Sequence, residues 1–306
     1  MISARLFLKM ILCWLMFVID SVWSDRISEE ENRYLQSICG EQYPENRYKS
    51  FGGRALRKGE YPFASYIGLK FNDKRFICTG ALISPRHILT ASHCVMYRPS
   101  REKNYEQCVL EKDLRKFVRY PYNLQKFLIK IAGKSGLMTE VKINSIWSHE
   151  KWDDCDHEHD IAIIELKQNV PNDYAIPICL PQENEPLASV VKVVGMGLVP
   201  YAIGKNTVAS TVTTFENPVL IESAMIKTTS IRRSTCQGDS GGPMIQLNKR
   251  NRLTVVGTTS SGTLDCTDPH AIEATDIENY FVDVRYHVEW ICFITGVCPI
   301  HDIKDD

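Results

Sequence analysis

Beyond residue 24 the chain has no long apolar run, and nothing there approaches the ~20 residues a helix needs to cross a bilayer. It also lacks an excess of either charge. Thirty-six Lys and Arg against 37 Asp and Glu leave a formal net charge of -1, which gives no electrostatic reason to expect a nucleic acid or an anionic membrane as partner. Compact CxxC pairs do not recur, and the histidines fall outside such a frame, so the spacings do not suggest zinc. No compact acidic frame identifies a calcium loop. Short-period repeats, βαβ alternation and long helical patterns are scarce or missing. What remains is an all-β barrel or sandwich.

The 306 residues, 44% of them hydrophobic, suffice for the core of one large domain or two modest ones. Arg5 and Lys9 precede the apolar run Met10–Ile19, and Val22-Trp23-Ser24 suits a peptidase cut, so residues 1–24 read as a secretory signal peptide. A membrane anchor is the alternative, with a run short for a span. Of 11 cysteines Cys13 leaves with this segment, and 11 − 1 = 10 remain, an even number that in an exported chain suggests disulfides of unassignable pairing.

Residues 25–49 are polar and charged and read as a leader rather than a core element, with Cys39 available to tie them down. Past Gly52 come strand-length apolar runs: FASYIGLKF, FICTGALI, HILTAS, KINSIWS, DIAIIEL, VVKVVGMG and LTVVGTTS. The best helical pattern covers Ile277 to Phe293, where Val284, Val288 and Ile291 form a packing stripe. A second short helix is expected within Tyr105–Phe117.

Three distant residues answer one chemical need. A serine hydroxyl is a poor nucleophile at neutral pH and requires a base to take its proton, itself held in the right tautomer. His93 in LTASHC, Asp160 in HDIAIIEL and Ser240 in CQGDSGGP supply those types, each beside a strand-like run. Singly each has a bland reading: a solvated histidine, a loop end, a turn cap. The order His–Asp–Ser is more selective.

From Ser50 to Ile291 the chain resembles the chymotrypsin-like serine peptidases, on CTGALISPRHILTASHC, DIAIIEL and GDSGGP in the family's order. The ending WICFITGVC resembles a nematode trypsin-like branch. The resemblance implies two six-stranded antiparallel Greek-key β-barrels with a C-terminal helix, a peptidase domain over 50–293 and a tail over 294–306. It implies His93 as general base, Asp160 as its orienter and Ser240 as nucleophile, with the N–H groups of Gly238 and Ser240 as oxyanion hole. Lys49 is then the processing site, and the Ser50 amine exposed by cleavage pairs with Asp239. Ser50 replaces a branched aliphatic residue and forfeits about 1.5–3 kcal/mol of burial if that site is closed.

The same resemblance implies the disulfides Cys39–Cys179, Cys78–Cys94 and Cys236–Cys266, and it leaves Cys108–Cys155 and Cys292–Cys298 as guesses. In the substrate pocket it places Ser234, Ser260, Ser261, Gly262 and Ile272. Ser234 carries no charge for a substrate Lys or Arg, and Ile272 is expected to shorten the pocket toward small residues; a core isoleucine in a shifted alignment is the other reading. Thr79 stands where relatives have glycine. The long interval between His93 and Asp160 reads as a solvated insertion. The expectation is a secreted, extracellular serine endopeptidase without cofactor or metal, acting on protein or peptide substrates. A macromolecular inhibitor is a further partner, and there is no nucleic-acid or, after signal removal, membrane partner. The alternative is a weak or inactive homologue that binds or regulates.

Overall fold

The seven apolar runs become strands because each is β-branched or aromatic-rich and buries a face. The computed structural model describes residues 26–41, 54–71, 74–97, 120–121, 123–152, 158–182, 184–198, 210–222, 224–268 and 274–299. The signal segment, Lys49, Ser50, Cys108, Cys155, the Tyr105–Phe117 helix, Ile272 and residues 300–306 lie outside them.

One sheet holds β2 (Ala64–Phe71), β3 (Lys74–Ser84), β4 (His87–Thr90), β7 (Phe127–Ala132), β8 (Met138–Val141), β9 (Ile143–Ser148) and β10 (Ala162–Leu166). Its order is β8-β7-β2-β3-β4-β10-β9, antiparallel throughout. Only Lys142 separates β8 from β9, so one bent strand pairs with β7 at its start and β10 at its end. That shared strand closes the sheet into a six-stranded barrel and removes its edges. β5 (Met96–Tyr97) and β6 (Tyr120–Pro121) form a separate ribbon.

The second sheet contains β1 (Arg54–Ala55), β11 (Val190–Gly195), β12 (Thr211–Glu216), β13 (Val219–Ile221), β14 (Met225–Ser230), β15 (Pro243–Leu247), β16 (Leu253–Gly262) and β17 (Ile277–Asp283). Its order is β1-β12-β11-β15-β16-β17-β14-β13. Here the strand broken at Asn217-Pro218 closes the barrel, β12 pairing with β11 and β13 with β14. Asn217 takes the bend at φ 49°, which asparagine tolerates better than most residues. β1 is the one addition to six strands. Phe63, Ile67, Leu82, Ile88 and Ile163 fill the larger core, and Val193, Phe215, Ile226, Met244 and Phe281 a smaller one.

Two expectations change. Ile277–Phe293 is not one helix: Ile277, Asn279 and Phe281 alternate inward on β17, and only Val288–Thr295 forms an α-helix, α2, after a 3-10 turn at Val284–His287. The period is two before Asp283 and three to four after it. Residues 26–41, read from composition as a leader rather than a core element, contribute buried side chains to the core. They form α1 (Glu29–Ile38), closed by a capping box between Ser28 and Glu31. Its polar composition hides a narrow stripe in which Ile27, Leu35 and Cys39 are buried. Ile27 N–H donates to Thr295 at 2.9 Å, Gly40 N–H to Pro177 at 2.8 Å, and Leu253 N–H to Gly40 at 2.8 Å. Cys39 is disulfide-bonded to Cys179.

Candidate active site

β4 is buried at all four positions and delivers the chain to a 3-10 turn, Ser92–Cys94, which carries His93. Ser92 anchors that turn through a 2.7 Å hydrogen bond from its hydroxyl to the Ile161 carbonyl. The neighbouring strand β10 pairs with β4 and is likewise wholly buried, so Asp160 at its entrance faces His93 from a rigid frame. His93 N–H donates to Asp160 Oδ1 at 2.9 Å, and the ring Nδ1 lies 2.6 Å from Oδ2. Ser260 Oγ donates to the same Oδ2 at 2.7 Å.

Asp160 is fully buried. Burial alone raises its pKa, but the charge and hydrogen bonds of His93 and the Ser260 hydroxyl outweigh it and hold the carboxyl below its ordinary value. An ionised carboxylate that accepts at Oδ2 fixes the proton of His93 on Nδ1 and leaves Nε2 as the basic nitrogen.

The serine loop is fixed from both barrels. Ser240 O accepts Thr79 N–H at 2.8 Å, and Gly241 N–H donates to Thr259 at 2.7 Å. Gly241 sits at φ 78°, and a Cβ there would collide with the Thr90 hydroxyl and the Thr79 carbonyl. Gly238 sits at φ 102°. Both conformations are ones that glycine adopts without steric cost. The Thr79 hydroxyl donates to Gly238 O at 2.8 Å and accepts Met196 N–H at 2.9 Å. The residue that departs from glycine is therefore a buried tie between three loops. The amide groups of Gly238 and Ser240 take no part in the hydrogen bonds that hold this loop to the described residues.

Asp239 is buried at 6% exposure, with Oδ1 accepting Gly197 N–H at 2.9 Å and Oδ2 accepting Cys236 N–H at 2.8 Å. Burial dominates these two bonds and pushes its pKa up to about 6. Disulfides Cys78–Cys94 and Cys236–Cys266 brace the His93 and Ser240 loops, and Cys292–Cys298 closes a loop at the end of α2.

Ser260 Oγ is committed to Asp160, while Ser261 and Gly262 end β16 beside a bulge. Opposite Gly262 stands Asn279, its register partner on β17. Asn279 Oδ1 accepts Thr235 N–H at 2.8 Å, Thr235 Oγ1 at 3.0 Å and Ser234 Oγ at 3.2 Å. The backbone donor fixes which side-chain atom is oxygen. The Asn279 amide nitrogen is left buried and without a partner among the described residues. Ile272, which the sequence reading places on the pocket wall, lies outside the described residues; among those, Asn279 reaches Ser234 from β17.

The trypsin family model matches residues 50–291, more than half of the chain. The chain is 25% identical over 283 residues to the Drosophila melanogaster serine protease filzig, covering 85% of this chain but 15% of that protein. It is 26% identical over 299 residues to human mannan-binding lectin serine protease 1, covering 91% of this chain and 40% of the relative. Against the venom peptide isomerase heavy chain of Agelenopsis aperta it is 27% identical over 240 residues, 72% of this chain and 91% of the other. These are insect, human and spider proteins and lend nothing to a specifically nematode branch. With the double barrel, the buried His93–Asp160 pair and the match along 50–291, this chain belongs to the trypsin family of chymotrypsin-like serine peptidases.

Proposed function

We propose that the chain is a secreted serine endopeptidase that hydrolyses protein amides through an acyl-enzyme on Ser240. The observation that carries this reading is the Asp160 carboxylate held by His93 at 2.6 Å and by Ser260 at 2.7 Å, with the Ser240 loop tied by Thr79 of β3 to the barrel that carries His93 and Asp160. In that reading His93 Nε2 takes the Ser240 proton as Oγ bonds to the scissile carbonyl carbon. The carbonyl π electrons move onto oxygen, where the N–H groups of Gly238 and Ser240 receive them. His93 then protonates the leaving amine, and water repeats the sequence to release the acid.

Export is the reading supported by the apolar N-terminal segment and by four disulfides. Among the described residues no helix is long and apolar enough to cross a membrane. The preferred residue before the cut is small, because Asn279 spans from Gly262 toward Ser234 where a basic substrate would need depth and a negative charge. Activation by cleavage after Lys49 belongs to the same proposal, with Asp239 as the buried acceptor for the Ser50 amine. The nematode affinity rests on WICFITGVC alone.

The occupied pocket also favours a second reading, a secreted binding or regulatory protein on the peptidase scaffold. One experiment separates them: a peptide library offered to the Lys49-cleaved chain, with His93→Ala and Ser240→Ala in parallel. Cleavage after small residues, abolished by either substitution, supports the peptidase. No cleavage by verified, folded, processed protein supports the binding role, and a strong Lys or Arg preference refutes the pocket assignment.

A further inference from the structure

Behind Asp160, and apart from the Ser240 loop, the fold brings together three histidines that the sequence separates widely. His149 follows β9, His159 immediately precedes Asp160, and His287 ends the 3-10 turn before α2. One ring nitrogen from each lies within 4.8 Å of the others. His149 and His287 are 6% and 2% exposed, and the cluster opens into a surface cavity of about 790 Å³. We propose that His149, His159 and His287 form a site for a borderline divalent cation of the zinc class, independent of whether the chain is a peptidase.

The hydrogen bonds already place lone pairs for such an ion. His287 Nδ1 lies 2.8 Å from the Asp283 carbonyl, which can only accept, so Nδ1 carries the proton and Nε2 presents its lone pair. A carbonyl that orients the far nitrogen in this way is the usual support of a metal-binding histidine. His287 Nε2 is 3.0 Å from His159 Nδ1. That is close to the about 3.3 Å separating two ligands of a tetrahedral ion at 2.0–2.1 Å bonds. The proton in this bond is the one a cation displaces, and it moves to His159 Nε2. His149 is stacked on His159 at 6° with centroids 4.6 Å apart, and its Nδ1 accepts Lys151 N–H at 3.2 Å. Binding requires the His149 ring to rotate out of this stack so that its lone pair and that of His159 converge on the ion.

Two further observations fit an ion. His159 holds φ 55°, a conformation uncommon outside glycine, in which its ring meets the other two. Glu185 lines the same cavity, and its Oε1 is buried without a hydrogen-bonding partner among the described residues, leaving negative charge beside the cluster. An all-imidazole set selects zinc, copper or nickel over calcium and magnesium, which require oxygen ligands.

The test is calorimetric titration of the oxidised full chain with Zn²⁺, with Co²⁺ absorption as a report on imidazole coordination. The proposal expects one site, unaffected by excess Ca²⁺ or Mg²⁺. It expects zinc binding weakened by more than about tenfold in His149→Gln and in His159→Asn, since each loses a ligand where losing even an outer-shell partner costs that much; asparagine is chosen at 159 because it accepts the left-handed backbone. Near-UV circular dichroism establishes that each variant is folded. Zinc binding of unchanged affinity in both variants, its loss in His93→Ala instead, or no binding by the unaltered chain overturns the site.

Discussion

Thr79 is where a single residue does most to connect the two barrels. Its hydroxyl satisfies both Gly238 O and Met196 N–H at zero exposure, so Thr79→Val keeps the shape and strands both groups. The expected cost is about 1–3 kcal/mol of unfolding free energy, read by urea denaturation, with Thr79→Ser recovering most of it. A loss in Thr79→Ser with none in Thr79→Val would mean that the methyl, not the hydroxyl, matters. At the pocket, Asn279→Gly removes the side chain between Gly262 and Ser234 and is expected to raise kcat/KM for larger P1 residues over alanine by tenfold or so, a peptide-library readout. His93 and Asp160, which the fold joins at 2.6 Å, were legible in sequence because their motifs are local. Asn279 was not, because nothing in its local sequence announces that β17 pairs it with Gly262 across a bulged β16.

Among the elements, α1 carries the clearest lesson. Charges at Glu29, Glu30 and Glu31 made the segment read as solvated leader, yet they occupy the helix's first turn, where they complement its dipole. The buried stripe is only Asn32, Leu35 and the flanking Ile27 and Cys39, too narrow to stand out from composition. Ser28→Ala removes the cap and is expected to cost about 1 kcal/mol, measured by thermal unfolding. Because Cys39 is bonded to Cys179 across 140 residues, cleavage after Lys49 is expected to leave one species on a non-reducing gel and two on a reducing one. Two species without reductant would show that the bridge is not formed. The strands themselves were readable wherever Val, Ile and Thr clustered. The β17–α2 boundary was not, since Val284 serves both periods.

At the scale of the molecule, the buried Asp239 couples stability to pH. Its pKa is raised, so its contribution is fully present below the ordinary carboxylate range and is lost as pH rises through about 6. Between pH 4 and 7 the uncleaved chain is therefore expected to lose on the order of 3 kcal/mol relative to Asp239→Asn, from paired denaturation curves. Asp160 acts in the opposite sense, its depressed pKa giving stability that is lost toward acid. A new amine beside Asp239 would remove the first dependence, which links processing to the state of the Ser240 loop.

In the proposed mechanism Ser240 is a nucleophile made reactive by the His93–Asp160 pair. A small aryl phosphonate added to the Lys49-cleaved chain measures that chemistry without relying on pocket fit. One covalent adduct per chain is expected by intact mass, absent in Ser240→Ala and strongly slowed in His93→Ala. Equal labelling of Ser240→Ala, or none of the cleaved and folded protein, would contradict it.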